Sequence, residues 1–412
     1  MYDVIIVGAR CGGSPIALQL AREGFKVLIV DRMTLGSDIM STHYLKRSGG
    51  RLLKKWGLLG EIEKLDTPPI RQLNFHINDT KISGTAPPLD GLDCDYAPRR
   101  FYLDKILTDA AIAAGAEARE KFTVNSLLFD DGRVVGIRGM HEGKEVTEKA
   151  KLVIGADGAN SIVAREAQAE TYIDAGTHTC GYYCYYSGLR DQADEANLFI
   201  RSEERRFYIT FPTNDGLDML FLFWPNEEVK KVRGNLDNAF NESLAIIPEL
   251  QDRVSQATRE TRISGTHLLP NYFRRANGPG WALVGDAALH RDPITAQGIT
   301  NAFTHADVLG EELLQALGGN QSIDQATANY DARQLQLLRP MFDYTVHLAT
   351  LQPLPAELSA MLPVLAQEPA AASAFIGGFI GSVPIQDVMP PQLMKRFADD
   401  VTRTTMENQN AR

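Results

Sequence analysis

A chain of 412 residues with 44% hydrophobic and 23% charged side chains has the balance of an ordinary globular protein and the length for two or three domains. Its net charge of −10 argues against a nucleic-acid surface or a polybasic membrane patch. Four cysteines, Cys11, Cys94, Cys180 and Cys184, are too few for a disulfide framework and have no second pair at zinc spacing, so reduced thiols and no metal site are expected.

Residues 2–7 form a continuous apolar run, which predicts a buried parallel strand. A strand at the start leaves no room for a secretion signal, so a cytoplasmic protein is expected. A helix over 13–22, stopped by Gly24, and a second buried strand at 26–30 complete a βαβ unit that opens a doubly wound domain. Residues 43–57 are predicted helical, with Leu45, Leu52, Leu53 and Trp56 on one face. Alternation at 69–84 predicts strands, 103–114 an amphipathic helix, and Asp130-Asp131-Gly132 a hairpin turn. Residues 152–155 return to a buried strand. Aromatic strand-like runs fill 167–270, another buried strand lies at 281–285, and a helix runs from 298 to 317. The remainder reads as helical with proline breaks. Its apolar stretch 369–385 is too short and too rich in glycine to cross a bilayer, and predicts a buried helix or interfacial loop. The expected fold is α/β. A doubly wound, Rossmann-like domain is built from 1–70, 95–166 and 271–340. A mainly antiparallel sheet domain (71–94 and 167–270) is inserted into it, and a helical region (341–412) follows.

Three strand-turn-helix motifs carry the chemistry. Gly8-Ala9-Arg10-Cys11-Gly12-Gly13 follows the first strand and opens a helix, as a dinucleotide fingerprint requires. Gly8 permits the tight turn and Gly13 close helix–strand packing, while the helix N-terminus offers N–H groups to a pyrophosphate. Arg10 replaces the middle glycine of G-x-G-x-x-G. Its Cβ hinders close backbone approach, but its guanidinium can pair with phosphate. Without a ligand the same run is simply a glycine-rich turn. Asp31, at the end of the second strand, can accept hydrogen bonds from a ribose diol or merely cap a turn, and Arg32 beside it can cover an adenine or reach phosphate. Asp157-Gly158 ends the 152–155 strand and leads through Asn160 and Ser161 to Arg165; alone, Asp-Gly is a turn. Gly285-Asp286 repeats the pattern, so Asp286 can offer a carboxylate to a polyol. Gly298 then opens a long helix whose N-terminus can stabilise negative charge on a reduced ring.

In this order the segments resemble the group A flavoprotein monooxygenases, which share the para-hydroxybenzoate hydroxylase fold. Gly8 to Gly13 is similar to that family's FAD fingerprint, in the subset where the middle glycine is often arginine. Asp157, Gly158, Ser161 and Arg165 are similar to its second motif, which serves FAD and NAD(P)H. Gly285-Asp286 with Pro293 and Gly298 is similar to its third. Arg100-Phe-Tyr-Leu103 resembles its segment in which an arginine contacts the flavin nucleotide, and Ser41-Thr42-His43 and Asp292 to Ile299 resemble the same subset. The likeness spans roughly residues 1–340. It implies FAD, held by Gly8, Arg10, Cys11, Gly12, Gly13, Asp31, Arg32, Arg100, Asp157, Gly158, Arg165, Gly285, Asp286, Pro293, Gly298 and Ile299. Within that set, Asp286 would bind the ribityl chain and the amides after Gly298 would lie near the pyrimidine edge. It implies NAD(P)H as a transient reductant that needs no second fingerprint. It also implies O2 and an apolar, aromatic or polycyclic substrate, hydroxylated through a flavin C4a-hydroperoxide. A monomer or homodimer is expected.

The substrate side is less defined. Alternating aromatic strands at 182–186, 207–211 and 219–224 either wall a flat apolar pocket or form ordinary sheet core. His43 and His290 are the candidates for side-chain chemistry, each against a packed structural role; His305 has the structural reading too. Flavin-dependent halogenases share the implied fold, but their Trp-x-Trp-x-Ile-Pro segment is absent, since Trp56, Trp224 and Trp281 lie far apart. Geranylgeranyl-type reductases, acting on a lipid or polyene, are the runner-up. Their Tyr-x-Trp-x-Phe-Pro segment has a partial echo, without its tryptophan, in Tyr208 to Pro212. A non-catalytic flavin-binding protein is the third reading.

Overall fold

Both faces of the strand Tyr2–Val7 are covered from Val4 onward, because the apolar run Val4–Val7 has no side to give to water. In the computed structural model, which describes residues 1–37, 41–190 and 197–411, this strand sits inside a parallel sheet. It pairs with Val27–Val30 on one side and Lys144–Gly155 on the other, and Glu117–Arg119 and Trp281–Leu283 extend the sheet, also in parallel. Helix Ser14–Arg22 packs between Arg100–Ala113 and Gly298–Leu317. Asp131 and Gly132 both take positive φ (46° and 75°) in the hairpin joining Thr123–Asp130 to Arg133–His141, as a tight primed turn demands.

The second sheet runs in the order Thr258–Arg259, Thr179–Ser187, Leu217–Pro225, Arg206–Pro212, Leu198–Glu203, Gln72–Ile77, Thr80–Thr85. All its pairings are antiparallel except that of Leu198–Glu203 with Gln72–Ile77. Its two faces read alternate residues. Tyr183, Tyr185, Phe207, Ile209, Phe221 and Phe223 share one apolar cluster with residues of helices Ala356–Gln367 and Pro369–Ile380, which pack on strand Thr80–Thr85 at the sheet's edge. Cys180, Tyr182, Cys184, Tyr208, Leu222 and Trp224 lie against residues 229–256. Those residues are helical (Val229–Gly234, Leu236–Leu244 and Pro248–Gln256), helices that the strand-like aromatic runs around them did not announce. Val232, Ala239, Phe240, Leu244 and Leu250 are buried at helical spacing because they cover the outer face.

The apolar stretch 369–385 forms helix Pro369–Ile380, ended by Gly381 at φ 79°. Among the described residues no helix is long and apolar enough to cross a membrane. Pro340 and Pro363 lie inside helices and do not break them.

Residues 43–57 are also corrected: the helix starts only at Arg47 (Arg47–Trp56). Tertiary partners hold the preceding segment extended. Leu45 bridges to Tyr96, and Asp95 accepts from the Arg47 backbone N (2.6 Å), Arg47 Nε (3.2 Å) and Tyr44 Oη (2.9 Å). Both side chains of the Arg47–Asp95 pair are 0% exposed. Asp95→Ala strands a buried guanidinium and is expected to cost about 3–5 kcal/mol, measurable as a lower midpoint of chemical denaturation. A loss below about 1 kcal/mol would mean that the Ala86 and Pro87 carbonyls, which Arg47 also reaches, satisfy it alone.

Candidate functional site

Val7, Gly155 and Leu283 are register partners in three adjacent parallel strands. The turns beginning at Gly8, Ala156 and Val284 therefore leave the sheet side by side. They do so at its carboxyl end and at the point where strand order reverses, which is where open α/β sheets bind ligands. The turns fit together tightly. Gly8 has φ 112° and donates to the Val30 carbonyl at 2.8 Å. A Cβ on Gly13 would stand 2.0 Å from the Gly8 oxygen, and one on Gly12 would stand 3.3 Å from Val284. Cys11 is buried with its Sγ 3.4 Å from Asp104 Oδ1; burial pushes this thiol up, away from thiolate chemistry.

The charged members of the expected set divide. Asp31 faces the first turn, where Oδ2 accepts from Ala9 N (3.0 Å) and Oδ1 from Met33 N (2.8 Å). Arg10 is half-buried, with Nη2 3.5 Å from Ser37 Oγ. Arg100 is buried and forks onto Asp104 at 2.9 and 3.0 Å. Asp157 Oδ2 accepts from Ile162 N (2.7 Å), capping the next helix, while Oδ1 is buried and unpartnered; burial pushes its pKa up. Two arginines stand apart. Arg32 is exposed, and the Arg165 side chain is 70% exposed with Glu166 at 3.9 Å.

The third turn is shaped by buried side chains. Gly285 N donates to His305 Nδ1 (2.8 Å), and burial pushes that imidazole down to about 3, so it stays neutral. Tyr272 Oη donates to the Asp286 carbonyl at 2.7 Å. Buried Asp292 accepts from Thr179 and from Ile294 N (3.0 Å), and desolvation pushes it up to about 6. Asp286 and Gly298 are exposed although their chain neighbours on both sides are buried, so both are presented at an opening. Gly158 and Pro293 are half-buried, and Ile299 is buried behind Gly298.

The two candidate histidines differ. His290 pairs in a small sheet with Pro270–Arg274, contacts the Pro270 carbonyl through Nδ1 and stacks 5.8 Å from Tyr272, which is a structural setting. His43 takes φ 55° in the segment before helix Arg47–Trp56, and its Nε2 meets Tyr185 Oη across from the second sheet. Its Nδ1 is buried without a partner. Burial, then the charges of Arg100 and Arg99, push its pKa down to about 3. The Arg99 guanidinium lies 5.2 Å from the centre of the Tyr185 ring.

Tyr185, Arg99, Lys46 and Arg291 were not singled out as site residues from sequence. Tyr185 lay inside an aromatic run. The other three were legible only as charges in segments that are otherwise buried.

A dinucleotide-flavin cofactor is compatible with these residues. The first turn leaves no room for a Cβ at Gly8 or Gly13, Asp286 and Gly298 are open, and Asp157 Oδ1 is a buried acceptor with no partner among the described residues. Such an orphan is unfavourable unless a ligand meets it.

The sheet order, the three aligned turns and the long helix after the third define the FAD-binding fold of the group A flavoprotein monooxygenases. Residues 1–343 match the FAD binding domain family, and the chain belongs to it. It is 31% identical over 341 residues to a digeranylgeranylglycerophospholipid reductase 2 from Methanococcoides burtonii, spanning 78% of this chain and 77% of that protein. Two solved structures share the fold. One is the flavin-dependent brominase Bmp2 (TM-score 0.77, 20% identity, 98% of this chain and 99% of that chain). The other is PqsL of Pseudomonas aeruginosa in complex with 2-aminobenzoylacetate (TM-score 0.72, 21% identity, 85% of this chain and 96% of that chain).

Proposed function

We propose that this FAD-dependent flavoprotein is a monooxygenase that uses NAD(P)H and O2 to hydroxylate a flat, ionisable aromatic or polycyclic molecule. FAD would be held by the Gly8–Gly13 turn, Asp31, Arg100, Gly158, Asp286 and the start of helix Gly298–Leu317. When bound, it supplies two-electron redox chemistry and oxygen activation.

The Tyr185–His43 pair carries this reading. It joins the aromatic sheet to the flavin-side segments, and it places a hydroxyl and a neutral imidazole in one hydrogen bond. Hydroxylation of an aromatic ring is easier once the ring's own O–H proton is drawn away. Tyr185 Oη, hydrogen-bonded to His43 Nε2, can accept a hydrogen bond from that O–H and polarise it, the proton itself leaving to solvent. The second sheet and helices Ala356–Gln367 and Pro369–Ile380 keep the apolar face dry. The aromatic ligand of PqsL supports a substrate of this type.

A second reading is favoured by the likeness to the Methanococcoides reductase: flavin-dependent reduction of a polyprenyl double bond. Phe207, Ile209 and Phe211 share one sheet face with the apolar C-terminal helices and could line such a chain. Oxygen separates the readings. FAD-loaded protein should show NAD(P)H oxidation stimulated by a phenolic substrate, with one atom of ¹⁸O from ¹⁸O2 in the product. Saturation of a polyene under anaerobic conditions, with no label incorporated aerobically, would establish the reductase instead. No stimulated oxidation with either class would leave a flavin-binding protein without turnover.

A further inference from the structure

Two buried cations lie beside the flavin-side turns with no anion at bonding distance among the described residues. Lys46 is fully buried just before helix Arg47–Trp56; Arg291, 7% exposed, comes just before the Pro293 turn. Lys46 Nζ donates to the Phe379 carbonyl and lies 4.4 Å from the centre of the Phe379 ring. Arg291 Nη2 donates to Asn301 Oδ1, but its Nε and Nη1 have no partner among the described residues. The carboxylates around them are engaged elsewhere. Asp95 holds Arg47 at 3.2 Å and Tyr44 at 2.9 Å, and the charge of Asp286 acts on Arg100 as well as on Arg291. Burial weakens the hold of both cations on their protons, Arg291 falling to about 9, and the charge of Arg291 lowers Lys46 further. Like charges in a low-dielectric interior repel strongly until an anion joins them.

Their surroundings say where that anion sits. Arg291 is bonded to the first turn of helix Gly298–Leu317, whose N-terminus is itself positive. Gln297, one residue ahead of that helix, donates at 3.2 Å to the same Phe379 carbonyl as Lys46. Thr300 Oγ1 in that turn is buried and unpartnered. The Phe379 ring packs 5.1 Å from Phe75 of the second sheet, so Lys46 borders the aromatic face. Oxidised flavin is neutral and a pyrophosphate belongs at the Gly8 turn, so the resting cofactor does not provide the missing charge.

We propose that Lys46 and Arg291 form a binding subsite for an anionic group of the substrate, a carboxylate or an ionised phenol or enol on a flat ring system. This rests on reading the aromatic face as the substrate pocket. The anion meets the two orphaned guanidinium N–H groups and the lysine ammonium in one charge-assisted contact, which fixes the orientation of the ring.

The test is equilibrium binding to oxidised, FAD-loaded protein without NAD(P)H, followed through the flavin absorbance. The probes are 2-naphthoate, its neutral counterpart 2-naphthamide, and glycerol 1-phosphate as a headgroup-like anion. The expected result is 2-naphthoate bound about tenfold or more tighter than the amide. Arg291→Met and Lys46→Met should each erase that preference, Arg291→Lys should keep part of it, and FAD content should not change. Equal affinity for acid and amide, no binding of the acid, or preferential binding of glycerol 1-phosphate would overturn the proposal. So would an Arg291→Met protein whose flavin midpoint potential drops while the preference persists, since the charge would then serve the reduced flavin. If Arg291→Met does not fold, the wild-type comparison decides. No turnover is involved, so loss of the preference and failure of oxygen insertion remain separate results.

Discussion

Replacing Gly8 with alanine is expected to yield a protein that folds poorly and purifies without flavin. Gly8 has φ 112°, which side-chain-bearing residues rarely adopt, and an added Cβ would stand 2.3 Å from the oxygen and 2.6 Å from the carbonyl carbon of Ala156. Both obstacles are backbone atoms, so no rotamer change relieves them. Ala156 also leads directly into Asp157-Gly158, and its N donates to the Val7 carbonyl at 2.8 Å. Pushing it away would therefore disturb two of the three turns at once. Backbone strain and overlap together should cost about 3 kcal/mol or more. Gly24→Ala is the control: its φ is 81°, but nothing lies within 4 Å of the added Cβ, so only about 1–2 kcal/mol of conformational strain is expected. Melting temperature and the ratio of flavin to protein absorbance decide the matter. A Gly8→Ala protein with full flavin and a melting temperature matching the Gly24 control would show that the turn yields.

What could be read from the sequence is what is local. Tyr2–Val7 announces a two-sided buried strand because every residue from Val4 to Val7 is apolar, and the helix over 298–317 lies as expected because Gly298 opens it and Gly318 follows it. The late start of the helix at Arg47 was not legible. Residues 43–46 have helical spacing, and partners distant in sequence, Tyr96 and Asp95 about fifty residues away among them, hold them extended. The helices over 229–256 were hidden by their aromatic flanks. Their apolar spacing makes sense only once Trp224 and Tyr208 present a face to cover.

The site divides along the same line. The three glycine turns are contiguous in sequence, and the register of Val7, Gly155 and Leu283 aligns them. Arg165 keeps its place in the motif, yet its side chain points to solvent, a matter of helix phase that spacing alone did not reveal. Contacts that join distant segments carried no local signal: His43 with Tyr185, Lys46 with Phe379, and Gly285 with His305.

Tyr185→Phe is expected to lower kcat about 100-fold while leaving KM nearly unchanged, because removing one oxygen keeps the ring packing and deletes the group that polarises the substrate O–H. Tyr183 and Arg99 still flank the ring at 5.7 and 5.2 Å, so the pocket wall should survive the change. The pH profile tells a relay from a packing role. If Tyr185 polarises the substrate's O–H, the variant should regain activity as pH rises through the substrate's own ionisation, and the wild type should show a flatter profile over that range. His43 does not add an acidic limb near neutrality. With its pKa pushed down to about 3 by burial and by the Arg100 and Arg99 charges, it is neutral throughout pH 5–9 in the folded protein. Unfolded, the same imidazole protonates near 6.5. Its depressed folded pKa therefore contributes stability that is present above about pH 6.5 and lost as pH falls toward 3. His43→Gln should flatten that acid-side loss in a denaturation series between pH 7 and 5, yet leave the catalytic deficit that marks the Tyr185 partnership. A Tyr185→Phe enzyme with wild-type kcat at every pH would remove the pair from the chemistry and leave the buried histidine a packing residue.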